Sequence, residues 1–242
     1  MNIALASPER TLTIAVTTNF ETTFKQLQPL FEQQYKIKLN PAFASTGKLY
    51  TQIVHGAPFD VFLSGDKEHV TLLEKEGFSS PTQYFIYAIG ELVIYAPGKN
   101  IKKNGLAELI SLHTRKIAIA NPNTAPYGLA AMQVLQHDKL WTVLKNKFVL
   151  GEDTGQVATF LITHNVDLGF LANSQLIDII RHSRHPIDSQ EVWKVPVSMY
   201  APLNQYATLI VASHTPQDAK IFLNFLQSKA AKKIISENGY HF

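Results

Sequence analysis

Four short segments hold the side chains whose types and spacing suit chemistry: Thr17-Thr18-Asn19, Ser45-Thr46-Gly47, Pro126-Tyr127-Gly128 and Asp153-Thr154-Gly155. Each follows an apolar or β-branched run and precedes residues on helical spacing, so each reads as a strand-to-helix turn. The first N–H groups of a helix lack partners within it and carry a partial positive charge, so such a turn can hold an anion. One turn of this kind, alone, supports nothing beyond helix capping. Together the four offer hydroxyls, an amide and the backbone N–H groups that glycine leaves accessible, all of them neutral donors. No arginine, histidine or metal-ligand cluster accompanies them, and Lys48 is the lone cation beside one. Neutral donors at several helix ends suit a fully deprotonated oxyanion, which accepts hydrogen bonds at every oxygen and donates none. Burying such a dianion without countercharge requires many convergent donors.

Asp153 separates two classes of oxyanion. If its carboxylate faces the ligand, it accepts the proton of hydrogen phosphate, and the ligand is phosphate or arsenate. If it caps the helix that begins near Gly155, the donor-only reading stands, and capping is the commoner role for aspartate there.

The elements that must position these turns are legible as an alternation of strands and helices, an α/β pattern with mixed, mostly parallel sheets flanked by helices. Leu12–Val16 reads as a buried strand, and Phe20, Phe24, Leu27 and Phe31 as the inner face of the helix after it. Ile37–Phe43 and Val61–Leu63 are further strands, and Asp66 caps a helix carrying Val70 and Leu73 that Gly77 ends. Lys116–Ala120, Phe148–Leu150 and Val166–Leu171 are strands of the second half, with Gly169 allowing a close backbone approach. Leu129, Met132 and Leu135 are expected to form one buried helix face, and Val157, Phe160, Leu161 and His164 to lie on the next helix. Thr215-Pro216 starts a helix that buries Ile221, Phe222, Phe225 and Leu226, and a last helix ends at Gly239. Two long extended stretches, Tyr87–Ala96 and Val195–Val211, read as crossings between lobes. Lobe I is then residues 1–88 plus 202–242 and lobe II residues 89–201, with the ligand in the interlobe cleft, where the carboxyl ends of the strands gather the four turns.

Composition excludes several classes. At 45% hydrophobic and 17% charged residues, a chain of 242 residues is ordinary for a globular protein with a large core. The net charge of +3 comes without a stripe of basic and aromatic residues, so nucleic acid is not an implied partner. The absence of cysteine removes thiolate zinc sites, disulfides and a cysteine nucleophile. No apolar run approaches the length of a membrane span. Met1–Pro8 lacks the basic and apolar regions of a secretory signal, although Ala4-Leu5-Ala6 is similar to a small-x-small cleavage site. Both a trimmed signal with an added methionine and a cytosolic start fit it.

Two motifs suggest other chemistry. Ser45-Thr46-Gly47-Lys48 is formally the S-x-x-K motif of penicillin-recognising serine hydrolases, but the S-D-N and K-T-G partners are missing. His182-x-x-His185 has metal-ligand spacing, yet Arg181 and Arg184 beside the two histidines favour a solvated basic segment. With no base, nucleophile or metal positioned for catalysis, the chain reads as a binding protein, not an enzyme, with no cofactor.

The chain resembles the periplasmic molybdate-binding proteins of ABC importers, a family with the type II periplasmic-binding fold. The resemblance rests on Ala44-Ser45-Thr46-Gly47-Lys48-Leu49, Gln52-Ile53, Gly56-Ala57-Pro58 and Asp60-Val61-Phe62-Leu63-Ser64-Gly65-Asp66. It continues through Ala88-Ile89-Gly90-Glu91-Leu92-Val93, Asn121-Pro122, Ala125-Pro126-Tyr127-Gly128, Gly155-Gln156 and Asp167-Leu168-Gly169-Phe170, and covers the chain from about Leu12 to Tyr240. It implies a monomeric periplasmic or exported protein that holds molybdate or tungstate with neutral donors and passes it to a membrane permease. It implies as ligands Thr18, Asn19 and Thr46, Tyr127 through its backbone N–H, and Thr154, with Ser45 in support. Some members supply a tyrosine hydroxyl where this chain has Ala172, so the replacement donor is expected from Thr18. Gly65 stands where alanine is usual, and a structural role is expected for it.

Overall fold

The computed structural model describes residues 10–184 and 186–242, apart from the side chains of 81–83. Ten strands alternate with helices: β1 Thr11–Thr17, β2 Lys38–Ala44, β3 Val61–Ser64, β4 Ser79–Gly90, β5 Leu92–Tyr95, β6 Ile117–Ala120, β7 Phe148–Gly151, β8 Leu168–Ala172, β9 Val192–Lys194 and β10 Leu203–Ile210. They form two five-stranded sheets, in the orders β2-β1-β3-β10-β4 and β7-β6-β8-β5-β9. In the first, β1 is parallel to β2 and β3, while β10 runs antiparallel to β3 and β4. The second repeats the scheme, with β6 parallel to β7 and β8, and β5 antiparallel to β8 and β9. Both sheets are therefore mixed. The chain passes from the first sheet to the second at Glu91 and returns between β9 and β10.

Each sheet is covered on both faces, which is why its strands are apolar on both. Leu12, Ile14 and Val16 pack with Phe24, Leu27 and Phe31 of the Glu21–Tyr35 helix and with Phe222 and Phe225 near the carboxyl end. Ala15 and Phe62 point the other way, onto Leu49, Ile53, Val70 and Leu73. In the second sheet Leu92, Ile117, Ile119 and Phe170 face the Pro126–His137 helix, and Val93, Ala118 and Leu171 face Val157 and Leu161.

Two expectations change. The inner face of the Pro126–His137 helix is Tyr127, Ala130, Ala131, Val134 and Leu135, whereas Leu129 is exposed. A Cβ at Gly128 would stand 2.3 Å from the carbonyl oxygen of Ala120. The helix lies so close to β6 that small residues are required there, so the buried stripe is not the stripe of large side chains. The Thr154–Ile162 helix ends before His164, which has φ of 54° and is exposed. Met1–Pro8 and His185 lie outside the described residues. Among the described residues, no helix is long and apolar enough to cross a membrane.

Candidate functional site

Strand register sets the first level of organisation. Thr17 pairs with Ala44, so Thr18 and Ser45 leave neighbouring strands side by side, and Ala120 pairs with Gly151, so the third and fourth turns do the same in the second sheet. The Thr46–Val54, Pro126–His137 and Thr154–Ile162 helices all begin at these edges, and a short 3-10 turn, Thr18–Phe20, leads into the Glu21–Tyr35 helix. The two edges face each other around a cavity of only about 10 Å³, far below the roughly 300–1,000 Å³ typical of sites for organic ligands. Its lining is Thr17, Thr18, Asn19, Ser45, Thr46, Ala125, Pro126, Tyr127, Asp153 and Thr154. All seven residues expected from the sequence are thus brought to one place.

Their donors are disposed in different ways. The hydroxyl oxygens of Thr18 and Ser45 are buried without any hydrogen-bond partner, and Ser45 does not cap its own helix. Buried hydroxyls are normally satisfied, so two orphans in one small cavity mark a place prepared for a polar guest. Thr46 Oγ1 accepts the Gly65 backbone N–H at 3.2 Å, and Thr154 Oγ1 accepts Gln175 Nε2 at 3.0 Å. Each of those hydroxyls keeps its own hydrogen to donate. Gly65 therefore adjoins the cavity through Thr46.

Asn19 is different from its turn neighbours. Its amide donates to Gln205 Oε1 at 2.8 Å and to the Tyr240 hydroxyl at 3.2 Å. Both side-chain donors are used in the wall, and what Asn19 offers the cavity is backbone at the start of a helix. Tyr127 is likewise buried, and it is the second residue of its helix, after Pro126. Leu129 N–H is the first in that helix to reach a carbonyl, that of Ala125, so the Tyr127 and Gly128 N–H groups have no helical partner. At the fourth turn, Asp153 Oδ1 accepts the Gln156 backbone N–H at 3.0 Å and caps the helix. Asp153 thus takes the capping role, the commoner of its two readings, through one of its carboxylate oxygens.

No cation lines the cavity, and its one charged residue, Asp153, caps a helix. Lys48 forms an ion pair with Glu152 across the gap between the two sheets, so the lysine of the S-x-x-K motif turns away from Ser45. Burial raises the pKa values of Tyr87 and Tyr127 well above the usual phenol range and that of Tyr240 to about 12, which keeps all three hydroxyls neutral. Further bonds join the elements around the two sheets, from Gly47 N–H to Thr124 O at 3.0 Å and from Ser174 Oγ to Asn19 O at 2.9 Å. Among the described residues no group of histidines and carboxylates could hold a metal ion. His182 is exposed and pairs with Asp178.

Thr17 and Pro126, which the sequence places in the turns without a ligand role, and Ala125 also form the wall, and Gln175, Gln205 and Tyr240 stand behind it unforeseen. For Gln175 a signal existed: Asn173-Ser174-Gln175 follows β8 as Thr17-Thr18-Asn19 follows the core of β1, a buried polar triplet opening a helix.

Two mixed sheets with a small polar cavity between facing edges, built at helix N-termini, define a solute-binding protein of the type II periplasmic-binding fold. The chain belongs to the bacterial extracellular solute-binding protein family, whose profile matches residues 12–241. It is 34% identical to the molybdate-binding protein ModA of Rhodobacter capsulatus over 99% of this chain and 92% of that protein. It is 33% identical to the ModA of Azotobacter vinelandii over 98% and 92%. The solved periplasmic molybdate-binding protein of Azotobacter vinelandii superposes with a TM-score of 0.87 at 33% identity, covering 96% of this chain and 99% of that one. A sulfate-binding protein of Mycobacterium tuberculosis, 14% identical with a TM-score of 0.78 over 96% of this chain and 86% of that one, shares the fold alone. These relatives are binding proteins and not enzymes.

Proposed function

We propose that this protein captures molybdate or tungstate as the bare dianion and hands it to the membrane permease of an ABC importer. The observation that carries this reading is the set of orphaned and donor-only hydroxyls, with helix N-termini, around a cavity that no cation lines. A tetrahedral dianion satisfies those donors, and the donors replace its hydration shell. Thr18, Ser45, Thr46 and Thr154 supply hydroxyls, while Asn19, Tyr127 and Thr154 supply backbone N–H groups. The molybdate-binding relatives support molybdate, and tungstate follows from its equal charge and nearly equal size. Hydrogen phosphate is disfavoured because Asp153 is committed to its helix cap.

In this reading residues 1–88 plus 202–242 and residues 89–201 are two lobes that close on the ion by bending at the two crossings. The protein acts as a monomer outside the cytoplasmic membrane, with no nucleic-acid partner. Calorimetric titration with molybdate, tungstate and phosphate tests the assignment. Saturable one-to-one binding of the first two and weak or no binding of phosphate is the expected result, and a preference for phosphate would overturn it.

A further inference from the structure

Thr154 owes its orientation to a residue from another element. Gln175 lies in the first turn of the Asn173–His182 helix, is 8% exposed, and directs Nε2 at Thr154 Oγ1 at 3.0 Å. A hydroxyl that receives a hydrogen bond from one side cannot turn its own hydrogen to that side. The hydrogen of Thr154 is therefore turned away from Gln175 and toward the cavity, where the hydroxyl presents a donor to whatever binds there. An oxyanion carrying a proton needs an acceptor at one of its oxygens, and Thr154 held in this way offers it a donor instead.

We propose that Gln175 is a specificity-determining positioning residue: by occupying one lone pair of Thr154 it holds that hydroxyl as a donor toward the cavity and so favours proton-free over protonated oxyanions. The inference rests on the oxyanion reading of the cavity and deepens it. Gln175 does not touch the ion. Its effect runs through Thr154, which separates it from a residue that merely fills space.

The test uses two dianions of similar shape at mildly alkaline pH, molybdate, which carries no proton, and hydrogen arsenate, which carries one. Gln175→Glu keeps the shape of the side chain but replaces the donor by an acceptor, so the Thr154 hydrogen turns outward. The added charge weakens both dianions alike, and only the ratio of their dissociation constants reports orientation. Calorimetry, with arsenate measured by displacement of molybdate, is expected to show the molybdate preference falling roughly tenfold, the effect of about one hydrogen bond. In a Thr154→Val background the same substitution is expected to leave the ratio unchanged. Gln175→Met, which removes the donor without adding charge, is expected to shift the ratio in the same direction by less, and it provides the result if the glutamate variant does not fold. A ratio equal to wild type in a folded Gln175 variant that still binds molybdate overturns the role of Gln175 and leaves the oxyanion site standing. Wild-type protein that binds neither anion overturns both.

Discussion

Thr46 has one lone pair engaged by the Gly65 N–H and a hydrogen free to donate, so its removal tests a single interaction. Thr46→Val keeps the shape and is expected to cost on the order of 1–3 kcal/mol of molybdate binding by calorimetry, with little change in melting temperature. Asp153 makes the opposite case. Its carboxylate holds the Gln156 N–H, so Asp153→Ala is expected to lower stability by about 1 kcal/mol in a thermal or denaturant melt while selectivity against phosphate persists. The hydroxyls at 18, 45, 46 and 154 were legible in the sequence because each closes an apolar strand. The use of the Asn19 amide was not, since its partners Gln205 and Tyr240 stand 186 and 221 residues away. Linear spacing carries no information about such contacts.

Among the elements, the helix-to-sheet approach is the tightest constraint. The Tyr127 ring lies under the end of β4, where a Cβ at Gly90 would come within 2.0 Å of its hydroxyl oxygen. Gly90→Ala must displace a fully buried ring, and overpacking of this kind costs about 1–3 kcal/mol or more. The variant is expected to melt earlier and to bind molybdate more weakly, because the same helix presents the Tyr127 N–H. Closeness of this sort also explains what the sequence hid. Strands were readable from β-branched and apolar runs, and the Phe24, Leu27 and Phe31 face from its spacing. The Pro126–His137 helix misled because its inner stripe includes Ala130 and Ala131, and a search for large apolar residues selects Leu129 instead. Where backbones nearly touch, the buried face is marked by small side chains.

For the whole molecule, the junction between the sheets is a charged cluster. Glu91, between β4 and β5, accepts from Lys194 Nζ at 3.2 Å and Asn173 Nδ2 at 2.9 Å, and pairs with His241 Nε2 at 2.9 Å. Partial burial by itself would raise its pKa, but the bonds from Lys194 and His241 outweigh that and hold it below the ordinary value. A depressed carboxylate pKa means that the stabilisation is present at neutral pH and is lost as pH falls through the folded value. Stability is thus expected to decline as pH drops below about 4.5, the ordinary glutamate value. In Glu91→Gln this part of the acid dependence should flatten, which melting curves across acidic pH measure. Glu91 matters at this scale because both strand crossings pass close to it, a fact that composition and periodicity could not reveal even though the two extended stretches could be read. The central claim is that uncharged groups at helix ends enclose a bare dianion. It is tested most directly by a crystal structure grown with molybdate and an anomalous difference map at the molybdenum edge. One peak inside the cavity, with its oxygens on the hydroxyls of Thr18, Ser45, Thr46 and Thr154 and the N–H of Tyr127, is the predicted result. A peak elsewhere, or one sharing the cavity with a guanidinium, an ammonium or a metal cation, would contradict it.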